Sequence, residues 1–205
     1  MNDFYRALGD IRNIRRQMAE TTAFRGYGPL TLSATAGFAL IGGGAQSHFI
    51  PDTTHHPSRY ITLWSAVAFC SLLLMAISTK TRTRRHHSGL EQEMIRLAAE
   101  QFLPALIAGI ALTLVLARCV PGSAWMLPGL WQILYALGVF SSCRFLPRAL
   151  FAAGAWFLTT GLLCLSLADA RALAPWTMTV SFTLGQLLIA LILRITTAET
   201  TDQDA

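Results

Sequence analysis

The sequence predicts an all-α membrane protein: six transmembrane helices arranged as three hairpins, a basic amphipathic helix at the N-terminus, and both termini in the cytoplasm. Three observations carry this. First, the 205 residues are 53% hydrophobic and only 13% charged, whereas a soluble domain carries about 25% charged residues. Second, six apolar stretches divide the chain into seven flanks, and the mean hydropathy is +0.47. Third, 13 of the 16 Lys and Arg residues fall in the N-terminal segment, the second and fourth connections and the C-terminal flank. Only Arg59, Arg118 and Arg171 fall in the other three connections. Basic residues mark the cytoplasmic side, so this alternation orients the chain N-in and C-in.

Residues 1–28 form a cytoplasmic unit. Phe4, Leu8, Ile11, Ile14 and Met18 recur at helical spacing, with Arg6, Arg12, Arg15 and Arg16 among them. That pattern suits a helix lying on the inner leaflet or against another helix. Gly26, Gly28 and Pro29 in FRGYGP break and restart the chain, because Pro is well tolerated in a first helical turn. The transmembrane domain then spans 29–196. Its expected spans are Leu30–Phe49, Tyr60–Ser78, Phe102–Leu116, Pro128–Cys143, Pro147–Ala168 and Pro175–Leu193. The fourth is short for a bilayer of roughly 30 Å, and Trp125, Met126 and Leu127 are placed to extend it outward. The largest inner connection, 79–101, contains KTRTRRHHSGLEQEM. Ser88 and Glu91 there have capping-box spacing, so a helix over Gly89–Gln101 is expected to run directly into the third span. The tail 197–205 is acidic and is expected to be disordered.

A weak threefold pattern supports the hairpins. Pro29, Pro104 and Pro147 each follow an aromatic residue two places earlier, at the start of a span that begins inside. Pro57, Pro128 and Pro175 stand near the start of each returning span, followed by Trp64, Trp131 and Trp176. Prolines at helix starts and Trp at membrane interfaces also arise without duplication.

Several function classes lose support. The sequence pI of about 9.4 comes from residues flanking apolar runs, so anionic lipid headgroups are the expected basic-face partner. No interleaving of basic and aromatic residues points to nucleic acid. The first apolar run begins near Leu30, so the first span is expected to act as an uncleaved insertion signal. Cys70, Cys119, Cys143 and Cys164 form no C-x-x-C pair and predict neither a disulfide framework nor a redox centre. No G-x-S-x-G, H-E-x-x-H or paired intramembrane aspartates suggest catalysis. Arg118 with Cys119, and Asp169 with Arg171, make no site by themselves. No cofactor is expected; none of the five histidines is placed at the matching depth within the bilayer that a haem held between spans requires.

The remaining candidates are three groups. His48, Asp52, His55 and His56 cluster at the outer end of the first hairpin. Imidazole and carboxylate can ligate zinc or copper, although the spacing matches no zinc pattern and loops commonly carry histidine. Gln132, Tyr135, Thr160 and Gln186 are polar residues inside spans, able to line a cavity or to bond helix to helix. Thr159 and Ser181 belong to the same class. Arg25, Glu100 and Arg144 are expected at one inner depth, where Glu100 is a candidate ion-pair partner for either Arg. All eleven acids lie outside the apolar cores, which disfavours a proton-driven carrier with a mid-membrane carboxylate. Ala105, Gly109, Thr113 and Ala117 form a small-residue stripe suited to close packing. Gly42-Gly43-Gly44 suits a bend or a close backbone approach.

FRGYGP at 24–29 and LPGLWQILYALGVFSSCRFLPR at 127–148 carry a resemblance that extends over nearly the whole chain, including IRNIRRQMAE and EQFLP. In these segments the chain resembles a family of six-span bacterial inner-membrane proteins without an assigned activity. The resemblance implies that topology and location and supplies no site residues. Sparse polar machinery within the bilayer and an elaborate basic inner face predict a non-enzymatic sensor or accessory subunit that binds a cytoplasmic protein partner. A small-solute channel or transporter is the alternative, and a metal-handling role the third. The small size favours a homo-oligomer.

Overall fold

The computed structural model describes residues 29–53, 56–85, 89–143 and 148–203. They form six α-helices: α1 Pro29–Phe49, α2 Pro57–Arg85, α3 Gly89–Cys119, α4 Leu127–Ser142, α5 Phe151–Ser166 and α6 Pro175–Gln203. Short 3-10 turns at Pro121–Met126, Arg148–Leu150 and Ala170–Leu173 precede α4, α5 and α6. No strand occurs among the described residues. The amphipathic helix expected within 1–28 lies outside them.

The prolines explain the helix starts. Pro29, Pro57 and Pro175 open their helices, and Pro128 stands in the first turn of α4, where a missing N–H leaves no bond unmade. Pro104 lies inside α3, which runs unbroken from Gly89 to Cys119, so the inner helix and the third span form one rod as the sequence predicts. The turn Pro121–Met126 leads straight into α4 and lengthens the short fourth span to Pro121–Ser142. Residues 197–203, read as the start of a disordered tail, instead continue α6 to Gln203. That stretch contains neither Gly nor Pro, and extending an existing helix needs no new nucleus.

Five helical segments among the described residues are long and apolar enough to cross a membrane: Pro57–Thr81, Arg96–Cys119, Pro121–Ser142, Arg148–Ser166 and Pro175–Thr196. The chain is thus a multi-pass membrane protein by length and composition. Helix α1, the first of the six expected spans, is not among the five. It has 21 residues, but four glycines, Gln46 and His48 dilute its apolarity.

Helix contacts run in the order α2–α1–α6–α5–α4–α3. The most extensive are α1 with α6 and α4 with α5, neither of which belongs to an expected hairpin. The first two expected hairpins do pair, α1 with α2 and α3 with α4; α5 and α6 meet less closely. Glycine explains the preference. A Cβ on Gly43 would collide with the Thr179 side chain of α6, while one on Gly42 would lie 2.8 Å from Val67 Cγ2 of α2. One glycine run thus lets α1 approach two helices on adjacent faces. On the other side of the bundle, Gly129 and Gly161 oppose each other: a Cβ on either would lie 2.8 or 2.9 Å from the other's carbonyl oxygen.

Leu32, Ala136, Leu150, Ala153, Phe157, Ile189, Ala190 and Leu193 form the larger apolar core. Tyr60, Trp64, Leu173 and Met178 form a second, at the end carrying the 121–126 and 170–173 turns. Helices α2 and α3 flank these cores. Only 6% and 0% of their apolar windows are buried, against 33–44% for the spans of α4, α5 and α6.

Candidate functional site

The polar interior begins at Gln46. Leu32, Thr35, Ala36, Ala39, Gly42, Gly43 and Gln46 share one buried stripe of α1, spaced by three and four as a helix face requires. That stripe carries Gln46 to the junction of α1, α2 and the 170–173 turn, where it is 0% exposed. Its Nε2 donates to the Leu173 carbonyl at 2.7 Å, and its Oε1 accepts from the Trp64 indole at 2.8 Å. Sequence reading missed Gln46, and it placed Trp64 as an interface residue although Trp64 is buried. A Gln ending the buried stripe was the available signal.

The α3–α4 pair repeats this device. The Trp131 indole donates to Thr113 Oγ1 at 2.8 Å, and both Trp bonds reach back 18 residues. A Cβ on Gly109 would meet Leu134 of α4 at 3.7 Å, an ordinary contact rather than the tight approach at Gly42. Thr113 of the expected stripe thus bonds across to α4, while Gly109 is not needed for a close approach and Ala117 is exposed and lies off that face. In the α5–α6 pair the indole bond differs: Trp156 donates to the Ser181 carbonyl at 3.0 Å.

The expected polar lining divides. Gln132, Tyr135 and Gln186 come together on the seam between α4 and α6. Gln132 is fully buried; its Nε2 donates to the Thr177 carbonyl at 3.4 Å and lies 3.9 Å from Met178 Sδ. Gln186 Nε2 donates to the Tyr135 hydroxyl at 2.9 Å. Tyr135 is ringed by Phe102, Phe157 and Phe182, with centroids 5.4, 4.5 and 5.5 Å away. These rings separate the two glutamines along the seam. Thr160 does not join them. Its hydroxyl donates to the carbonyls of Trp156 and Phe157 on its own helix, and Thr159 is exposed. Among the described residues, four buried side-chain atoms have no hydrogen-bond partner: Tyr60 Oη, Gln132 Oε1, Thr183 Oγ1 and Gln186 Oε1.

The other candidates lie only in part among the described residues. His48 and His56 are exposed, and His48 sits edge-on to Phe49 with centroids 4.8 Å apart. Asp52 is exposed beyond the end of α1. His55 lies outside the described residues, and among those described no three His, Cys, Asp or Glu side chains gather as a metal site. Glu100 binds Arg96 of its own helix at 2.8 Å, with both side chains exposed. The expected partners Arg25 and Arg144 lie outside the described residues. At the opposite end Arg171 binds Asp169 at 2.8 Å, also exposed. No protein family, curated protein or solved structure matches this chain.

Proposed function

We propose that this is a six-span protein of the bacterial inner membrane, with α1 as the sixth span and both termini cytoplasmic. On this reading it belongs to the family it resembles and acts without catalysis, as a sensor or accessory subunit gripping a cytoplasmic protein partner. One observation carries the reading. Helices α2 and α3 are the least covered of the bundle, and both continue as helix beyond their apolar spans, α2 from Thr81 to Arg85 and α3 back from Arg96 to Gly89. Only three residues separate their ends in the sequence. Their sequence carries Arg82, Arg84, Arg85, Glu91 and Glu93, a mixed-charge composition suited to a partner or to anionic headgroups. The interior agrees, since most of its polar side chains are spent on helix-to-helix or same-helix bonds. Homo-oligomers formed through α2 and α3 fit the same exposure.

Photo-crosslinkers placed at 82–95 in cells, with and without residues 1–23, test the proposal. A specific partner captured by the full chain and lost on deletion supports it; an unchanged capture pattern overturns it. The small-solute channel has one favouring observation, the meeting of Gln132, Tyr135 and Gln186 on a single seam. Flux through purified protein in liposomes, abolished by Gln186→Leu, decides for that alternative.

A further inference from the structure

We propose that Tyr60 and Gln132 form a binding site for one small hydrogen-bonding solute, beneath the 121–126 and 170–173 turns. Tyr60 is 1% exposed and Gln132 0%, and both Tyr60 Oη and Gln132 Oε1 lack a partner in the protein. In a low-dielectric interior with no bulk water, such atoms are strongly disfavoured unless something bonds them. The two residues share one neighbourhood. The Tyr60 ring stacks on that of Trp131, next to Gln132 in sequence, at 6.3 Å and 5°. Tyr60 packs in one cluster with Met178, whose sulfur lies 3.9 Å from Gln132 Nε2. The Cys164 thiol contacts the Ala172 carbonyl at 3.7 Å. That carbonyl also accepts from Thr177 Oγ1 at 2.8 Å, and Thr177 offers its own carbonyl to Gln132.

The chemistry of the occupant follows from the atoms left over. Gln132 spends its amide nitrogen on Thr177 and Met178, so its oxygen only accepts. The Tyr60 hydroxyl both donates and accepts. The occupant therefore donates one hydrogen to Gln132 and exchanges another bond with Tyr60, as water, a small alcohol or a small amide would. Trp64, Trp131 and Met178 wall the site with apolar surface and leave no counter-charge for an ion. The other two unpaired atoms differ. Gln186 bonds Tyr135, which packs against the other apolar core and not the Tyr60 cluster. Thr183 can turn to the carbonyl four residues earlier, as Thr179, Ser181 and Thr196 do.

Thermal unfolding of the full chain in nanodiscs tests the site. If an occupant bridges the two residues, Tyr60→Phe lowers Tm by about 3 °C, and Tyr60→Phe/Gln132→Met is no worse than the poorer single variant. If the hydroxyl is simply unpaired, Tyr60→Phe leaves Tm unchanged or raises it, and the proposal fails. Tyr60→Phe removes one oxygen only, so it remains informative even where Gln132→Met does not fold. Solid-state NMR then identifies the source. Magnetisation transfer from water to the Gln132 side-chain amide assigns the occupant as water. Without that transfer, a saturable rise in wild-type Tm with methanol or formamide, absent in Tyr60→Phe, assigns an organic solute. Absence of both effects overturns the site.

Discussion

The Trp64 indole donates to Gln46 Oε1 at 2.8 Å, and the same Gln46 amide donates to the Leu173 carbonyl at 2.7 Å. One buried side chain thereby ties α1 to α2 and to the turn that precedes α6. Replacing Gln46 by Leu strands both a buried N–H and a buried carbonyl, at a cost of about 2–4 kcal/mol. Trp64→Phe strands Gln46 Oε1 and costs about 2–3 kcal/mol. Because the two share one bond, the double variant should lose about 1–2 kcal/mol less than the sum. Reversible unfolding in mixed micelles measures the cycle, and strict additivity would show that the bond contributes nothing.

Glycine at 43 and glycine at 44 differ in what surrounds them. A Cβ on Gly43 overlaps Thr179, whereas one on Gly44 meets open space. Gly43→Ala must push α6 away and is expected to cost about 1–3 kcal/mol through overpacking. Gly44→Ala is expected to be neutral or to stabilise by about 0.5–1 kcal/mol, by restricting the unfolded chain and favouring helix. Equal effects in the same unfolding assay would remove the close approach as the reason for the glycine run.

Much of the helical layout was legible because its signals are local. Apolar runs marked the five helical segments long and apolar enough to cross a membrane, prolines marked several helix starts, and the sequence anticipated the continuous Gly89–Cys119 helix. The three-hairpin description was less secure, because helix neighbours are chosen by facing surfaces rather than by order in the chain. Gly43 opposes Thr179 and Gly129 opposes Gly161; neither pairing is written in any single segment. The polar seam was legible in part for the same reason. Gln132, Tyr135 and Gln186 stand out as polar residues within spans. Thr160 stands out equally, yet a threonine hydroxyl can bond its own helix, and only the fold shows that it does. Gln46 escaped notice because it sits near a helix end, where a polar residue looks solvated.

The separate fates of Tyr135 and Thr160 make a further test. Tyr135→Phe keeps the ring that packs among Phe102, Phe157 and Phe182 but removes the acceptor for Gln186 Nε2. The expected loss is about 1–2 kcal/mol. Thr160→Val removes only bonds to its own helix and should change stability by less than about 1 kcal/mol. If both variants instead leave stability untouched but change solute flux in liposomes, the channel reading replaces the structural role of this seam.

The cysteines test the threading directly. Cys119 is exposed at one end of α3, and Cys143 follows the far end of α4, so the proposed topology puts them on opposite sides of the membrane. Cys70, on the outer surface of α2, and Cys164, buried against the Ala172 carbonyl, are replaced by Ala to leave a single cysteine in each variant. A membrane-impermeant maleimide added to intact spheroplasts should label the Cys119-only protein and spare the Cys143-only one; inverted vesicles should reverse the pattern. Burial also pushes the Cys143 thiol above its usual pKa. A raised thiol pKa leaves less thiolate at neutral pH, so in detergent Cys143 should react more slowly than an unhindered thiol at pH 7. Its rate should level off at a higher pH than that of an ordinary thiol. Labelling of Cys143 from outside, with Cys119 protected, would invert the proposed orientation and move the 82–95 surface to the opposite face.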